Sequence, residues 1–160
     1  MNEKDKKNMR LFFKIRYSLN PQSMVLENRL GWQTTPNINL KINKRGYGVI
    51  EYTTYNNGFR LYGDVNTDKM KIFVVGDSQT QAYNVSDGKT YYDHIKQNNY
   101  VELFAYGGGG YGTLQQYLII DSFIDIIKPD LLILQFGSND FINNDHYLES
   151  NSFNNNNKKV

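Results

Sequence analysis

The stretch from Lys69 to Thr80, K-M-K-I-F-V-V-G-D-S-Q-T, limits the possible folds more than any other part of the chain. Ile72 to Val75 form a short apolar run rich in β-branched residues, which is typical of a strand buried on both faces of a parallel sheet. Gly76 allows a sharp turn after this strand, and Asp77 and Ser78 can cap a following helix. Ser78 is therefore expected at the carboxyl end of a central strand, where open α/β sheets have their ligand crevice. A serine in that position can act as a nucleophile if a base and an oxyanion hole lie nearby.

Strand and helix patterns alternate from this stretch onward. The predicted strands cover residues 71–75, 101–106 and 131–136, and the predicted helices cover residues 89–97 and 113–127. The first helix is expected to begin near Ser86 or Asp87. This alternation implies right-handed crossovers and a parallel sheet. We expect a flavodoxin-like order with the first strand between the other two, because the crevice forms at the switch point beside it.

Composition divides the 160 residues into four segments. These are a polar and basic lead at 1–28, a β-rich lead at 29–66, the α/β core at 67–142 and an Asn-rich tail at 143–160. The tail is expected to be disordered, because it holds too little apolar surface to fold. Within the β-rich lead, Tyr47 to Tyr55 is a predicted strand. A turn at Asn56-Asn57-Gly58 would let residues 59–62 pair back as a hairpin.

The composition excludes several classes of function. The net charge of +2 argues neither for nor against a nucleic-acid partner, but no basic stripe interleaved with aromatic residues occurs, so we expect no such partner. The absence of cysteine excludes disulfides and thiolate metal sites, and two histidines are too few for a histidine-rich metal site. No cofactor is expected. No apolar run is long enough for a secretory signal or a membrane span, so a cytoplasmic location is the default expectation unless an export segment is missing from the front.

Three clusters of glycine and small polar residues follow the three predicted strands. They are G-D-S-Q-T at 76–80, G-G-G-G-Y-G-T at 107–113 and G-S-N-D at 137–140. The carboxyl ends of parallel strands meet at one crevice, so these clusters should converge. The combination suits acyl transfer, in which a serine attacks a carbonyl carbon. Glycine-loop N–H groups and an asparagine amide can then donate to the oxyanion from about 2.7–3.1 Å.

These clusters resemble the motifs of the SGNH (GDSL-type) hydrolases, a family of esterases, lipases and carbohydrate deacetylases. The resemblance covers about residues 69–142 and implies that Ser78 is the nucleophile, Gly110 a backbone oxyanion donor and Asn139 the side-chain donor. Ala105 stands where the family's second motif usually has asparagine. The resemblance also implies a three-layer α/β sandwich, no cofactor, and a small-molecule or carbohydrate ester as substrate, with an O-acetylated carbohydrate as one candidate.

One motif of that family is missing from the sequence. The family's base and its orienting acid lie in a D-x-x-H motif, but three positions before His94 and His146 stand Tyr91 and Asn143. We therefore expect the chain to be truncated before this motif and residues 1–160 alone to hydrolyse esters weakly. His146 is the one histidine near the third cluster that could take over as base.

Two functions of other classes remain open on the sequence. A binding module of the same fold would keep the pocket and lack the base, and ester turnover would distinguish it from an esterase. A nucleotide-binding module is the second alternative, because Gly107, Gly109 and Gly112 satisfy G-x-G-x-x-G between a strand and a helix. That fold needs an acid about 20 residues further on, where Ile127 and Lys128 stand instead. Protection by a dinucleotide in a thermal shift assay would support it.

Overall fold

A computed structural model describes residues 23–145 and 147–148 of the chain. The amino-terminal part of this range forms two antiparallel hairpins. In the first, β1 (Met24–Glu27) pairs with β2 (Gly31–Thr34), and in the second, β3 (Asn39–Lys44) pairs with β4 (Gly48–Thr53). A 3-10 turn, Asn56–Gly58, follows. The first hairpin thus spans the expected segment boundary at residue 28, and the tail beyond residue 148 lies outside the described residues.

The predicted hairpin between residues 47–55 and 59–62 is wrong. The strand is present as β4, but its partner is β3, with Ile42 opposite Ile50. The segment after the turn pairs with the core sheet, where Ala105 donates its N–H to the Leu61 carbonyl at 2.8 Å. The reason is burial, because Phe59 is completely buried against the core and draws its neighbours to the sheet.

The core is a parallel sheet of three strands, β5 (Met70–Gly76), β6 (Val101–Gly107) and β7 (Leu131–Gln135). Its order is β6-β5-β7, which confirms the predicted placement of the first strand in the middle. Gly76, the last residue of β5, is in register with Gly107 on one side and with Gln135 on the other. The three carboxyl ends are therefore level with one another.

The helices that follow the core strands are α1 (Ser78–Gln81), α2 (Tyr91–Asn98), α3 (Thr113–Ile127) and α4 (Asp140–Asn143). The long helix α3 has the predicted bounds. Helix α2 begins later than expected, because its cap is Thr90 and not Ser86 or Asp87. Thr90 and Asp93 form a capping box in which each side chain accepts the other residue's backbone N–H at 3.1 Å.

The alternating side chains of β5 and β6 contribute to two apolar clusters, one on each face of the sheet. Phe73 and Phe104 belong to the cluster that includes Ile119 of α3. Val74 belongs to the opposite cluster, which includes Tyr92 of α2. All these residues are at least 98 % buried, which holds the strand ends and the helices that follow them in fixed positions.

The two long edges of this sheet differ in their cover. The edge of β6 carries the short segment around Leu61, whereas β7 has four consecutive apolar side chains that are 36–44 % exposed, Leu131 to Leu134. A strand edge with exposed apolar residues is a site for pairing with another strand. Among the residues that the structure describes, no helix has both the length and the apolar character needed to cross a membrane.

Candidate active site

The turn after β5 carries the predicted nucleophile. Asp77 is fully buried and caps α1, with its Oδ1 accepting the Gln79 N–H at 2.8 Å. Ser78 is the first residue of α1 and is exposed. The cap thus fixes the backbone of the turn, while the serine hydroxyl remains accessible to a substrate. Within residues 23–145 and 147–148, the Ser78 hydroxyl makes no hydrogen bond.

Polar side chains tie this turn to the end of β7. The Thr80 hydroxyl donates to Gln135 Oε1, and Gln135 Nε2 donates to Gln79 Oε1 at 3.1 Å. The Tyr91 hydroxyl also donates to Gln135 Oε1, at 2.7 Å. Partial burial raises the pKa of Tyr91, and the nearby Asp77 carboxylate adds to the rise. These contacts place the start of α2 beside the Ser78 turn, which the sequence did not predict.

The glycine cluster after β6 forms a tight turn. Tyr111 donates its N–H to the Gly108 carbonyl at 3.1 Å, and Gly110 at the third position of the turn has a φ of 76°. A positive φ there is the mark of a type II turn and explains the need for glycine. The turn adjoins β5, because the Gly108 N–H faces the Gly76 carbonyl at 3.4 Å. In the described part of the chain, the Gly110 N–H donates to no acceptor.

The third cluster, which follows β7, is closed by its aspartate. Asp140 is fully buried, and its Oδ2 accepts the Gly137 N–H at 2.8 Å while its own N–H donates to the Gly137 carbonyl at 3.0 Å. Gln116 of α3 donates to Asp140 Oδ1 at 3.3 Å. Asn139, between these residues, is half-buried. The aspartate therefore shapes the loop and leaves the asparagine side chain at the surface of the crevice.

Asn143 of α4 joins the second and third clusters. Its Nδ2 donates to the Gly110 carbonyl at 2.9 Å, and its Oδ1 accepts from Asn139 Nδ2 at 3.3 Å. The first and third clusters are also adjacent, because a Cβ on Gly137 would lie 3.0 Å from Asp77 Oδ2. The three clusters thus meet at one end of the sheet, although no hydrogen bond within the described residues links the Ser78 hydroxyl to Gly110 or Asn139.

In the described part of the chain, no histidine forms a hydrogen bond with the Ser78 hydroxyl. His94 is exposed on α2 and makes no side-chain hydrogen bond to another described residue. His146, the predicted substitute, lies outside the described residues. The described residues also hold no group of three or more histidine, cysteine, aspartate or glutamate side chains placed to bind a metal ion.

Comparison with protein-family models identifies the family of the chain. The model of the GDSL-like lipases and acylhydrolases matches residues 72–160, more than half of the chain. The chain belongs to this family. As a GDSL-like hydrolase it acts on ester bonds, with small-molecule esters as its general class of substrate. No curated protein matches the chain.

Sequence reasoning missed three residues that contact the clusters: Trp32, Gln135 and Asn143. Trp32 comes from β2, and its Nε1–H donates to the Gly109 carbonyl at 3.0 Å. The sequence signal for Asn143 was its spacing, because it follows Asn139 by one helical turn. Trp32 lies 77 residues before its partner, and no local pattern indicates such a contact.

Proposed function

We propose that this GDSL-like hydrolase is a serine esterase of the SGNH type, in which Ser78 is the nucleophile. The observation that carries the proposal is the Asn143 bridge, which holds the Gly110 turn and the Asn139 side chain together next to the Ser78 turn. The Gly110 N–H has no acceptor among the described residues, and the Asn139 amide keeps a second hydrogen after donating to Asn143. Both donors are therefore available for an oxyanion.

In the proposed reaction the Ser78 oxygen attacks the ester carbonyl carbon and its proton passes to a base. The carbonyl oxygen becomes an oxyanion, which the Gly110 N–H and the Asn139 amide stabilise. Collapse of this intermediate expels the alcohol, which takes up a proton, and leaves an acyl-serine. Water then gives up a proton to the base and attacks the acyl carbonyl carbon, the bond to the serine oxygen breaks, and the carboxylic acid is released as Ser78 regains its proton. Removing one oxyanion donor of this kind lowers kcat by about 10²–10³.

The substrate we propose is an O-acetylated carbohydrate or another small polar ester. Support comes from the polar side chains near Ser78, namely the amides of Gln79 and Gln135 and the hydroxyl of Tyr91. Ser78 itself is exposed, so a bulky alcohol can approach it. Sugar hydroxyls can form hydrogen bonds with these side chains.

Addition of imidazole tests the nucleophile even if the chain provides no base of its own. Hydrolysis of a fluorogenic acetyl ester is measured with and without imidazole for the wild-type chain, Ser78→Ala and His146→Ala. We expect turnover that requires Ser78 and rises with imidazole, because the added base accepts the serine proton. Equal rates for wild type and Ser78→Ala under both conditions would refute the serine mechanism. Loss of the imidazole-free rate in His146→Ala would identify that histidine as the base.

The two alternatives of other classes make different predictions in this assay. A binding module would show no Ser78-dependent rate with imidazole and would still bind an acetylated sugar. A nucleotide-binding module needs unoccupied N–H groups at the start of α3. In the structure, Gln115 accepts the Gly112 N–H at 2.9 Å and Asn144 accepts the Thr113 N–H at 2.6 Å. Those side chains occupy the place of a phosphate and favour the esterase.

A further inference from the structure

The peptide between Gly109 and Gly110 can in principle adopt two orientations. It is the central peptide of the turn from Gly108 to Tyr111. Types I and II of such a turn differ by a flip of this peptide, which reverses the directions of its C=O and N–H groups. The positive φ of Gly110 shows that the structure has the type II orientation. A flip to type I would turn the proposed oxyanion donor, the Gly110 N–H, to the opposite side.

Local sequence alone does little to select this orientation. Both residues of the central peptide are glycine, and glycine populates positive and negative φ with similar ease. The hydrogen bond from Asn143 does not select it either, because that bond holds the Gly110 carbonyl, which belongs to the next peptide. Selection therefore requires a contact to the Gly109 carbonyl or to the Gly110 N–H itself.

Trp32 provides that contact. Its indole Nε1–H donates to the Gly109 carbonyl at 3.0 Å. Because Gly109 is buried, a flip of the peptide would break this hydrogen bond and leave the indole N–H without its acceptor. Because the peptide is planar and trans, fixing the direction of its C=O fixes its N–H on the opposite side. We infer that Trp32 is a positioning residue that locks the Gly109–Gly110 peptide and thereby aims the Gly110 N–H into the oxyanion hole.

This inference rests on the proposed role of Gly110 and adds a residue from outside the family match. The match covers residues 72–160, whereas Trp32 lies in β2 of the lead. The lead therefore contributes to the reaction through the backbone of the glycine turn, without touching substrate. Trp32 also packs on Tyr111, with ring centroids 5.9 Å apart, so its effect on the turn must be separated from its effect on stability.

A pair of matched variants makes this separation. Trp32→Phe keeps an aromatic ring and removes the indole N–H. Tyr111→Phe removes a different hydrogen bond between the same two segments, from the Tyr111 hydroxyl to the Trp32 carbonyl at 2.7 Å, and leaves the Gly109 carbonyl bound. We expect Trp32→Phe to lower kcat of Ser78-dependent hydrolysis about tenfold with little change in KM, because the buried Gly109 carbonyl then lacks a partner in the type II orientation, which favours the flipped peptide. Tyr111→Phe should leave kcat within about twofold of wild type.

Nuclear magnetic resonance observes the peptide independently of turnover. In the wild-type chain of residues 1–160, a long-range HNCO correlation should connect the Trp32 indole N–H with the Gly109 carbonyl. The type II turn should give a strong NOE between Gly109 Hα and the Gly110 amide proton. In Trp32→Phe this NOE should weaken as an NOE between the two amide protons appears, and in Tyr111→Phe it should persist.

These measurements test the role of Trp32 and the esterase mechanism separately. Absence of the indole correlation in wild type overturns the inference, whether or not Trp32→Phe folds. An unchanged NOE pattern in a folded Trp32→Phe chain, or equal kcat losses in the two variants, also overturns it and leaves Trp32 with a purely structural role. If Ser78→Ala retains the wild-type rate while the NOEs change as expected, the lock on the peptide stands and the proposed esterase mechanism fails.

Discussion

Replacing Gly107 by alanine should push the nucleophile turn away from the sheet. Gly107 is the last residue of β6, and a Cβ there would lie 2.6 Å from both the Asp77 carbonyl oxygen and the Thr80 carbonyl carbon, and closer still to the Gln81 nitrogen. All three atoms are backbone atoms of the turn and helix that carry Ser78. No side chain can rotate to make room, so the backbone itself has to move.

The structure gives the size of this movement. Ordinary contacts begin at 3.4 Å and the Gln81 nitrogen is the closest of the three atoms, so the turn has to retreat by at least about 0.8 Å from the new methyl group. Overpacking of this kind lowers the free energy of unfolding by about 1–3 kcal/mol. A misplacement of about 1 Å can lower a catalysed rate about 100-fold. We therefore expect Gly107→Ala to lose both stability and most of the Ser78-dependent rate.

Urea denaturation and imidazole-stimulated hydrolysis of the acetyl ester measure the two effects. Gly46→Ala is the control, because Gly46 has a φ of 86° but a Cβ there would meet no atom within 4 Å. It should cost about 1–2 kcal/mol through backbone strain and leave the rate unchanged. A Gly107→Ala chain with the wild-type rate would refute the reasoning, because the Ser78 turn would then not be positioned by its contact with β6.

Three further predictions concern other parts of the described chain. Arg60→Met should lower the free energy of unfolding in urea by about 1.5–3 kcal/mol, because it removes a buried cation that is bound to the Thr53 and Val85 carbonyls and paired with Asp87, whose side chain is 34 % exposed. A loss below about 1 kcal/mol would show that the pair is dispensable. Burial raises the pKa of Tyr52, Tyr106 and Tyr111, so the folded state keeps phenol protons that the unfolded state releases. Stability should hold below about pH 10 and fall as the pH rises further, with a smaller fall in Tyr106→Phe; a flat alkaline profile would contradict this. Ile133→Lys places a charge on the exposed β7 strand and should reduce self-association in light scattering, and unchanged scattering would exclude this edge as its cause.

Local patterns were sufficient to predict the core of the fold. Ile72 to Val75 are at least 93 % buried, as an uninterrupted apolar run between polar flanks requires. Helix α3 has the predicted bounds because neighbouring residues determine both of its ends: the glycine cluster precedes its start, and Pro129 follows its end. The parallel direction of the strands followed from the strand–helix alternation with right-handed crossovers. Their order followed from the expected crevice beside the first strand.

Patterns that depend on a distant partner were not decisive. The β-branched and aromatic residues of β4 predicted a strand, but they carry no information on whether it pairs with β3 or with the residues after it. Leu40 and Ile42 alternate with polar residues in β3, so a signal for the true partner was present. The late start of α2 was also readable, since Thr90 and Asp93 have the spacing of a capping box.

The candidate site divides in the same way between local and distant determinants. The motif residues Ser78, Gly110 and Asn139 stand where short patterns place them, directly after three level strand ends. The direction of the Gly110 N–H, in contrast, depends on the Trp32 contact to the preceding carbonyl. The lead contacts the same region again where the Thr34 hydroxyl donates to the Gly107 carbonyl at 3.2 Å.

These contacts give the two proposed oxyanion donors separate supports. Trp32 of the lead holds the turn that carries Gly110. Asp140 and Gln116, which belong to the matched domain, hold the loop that carries Asn139. Within residues 23–145 and 147–148, Asn143 is bonded both to Gly110 and to Asn139. Since each donor sits on a backbone held by its own partners, the geometry of the hole requires the lead and the core to fold together. The matched core therefore carries both proposed donors but holds the orientation of only Asn139 by its own contacts.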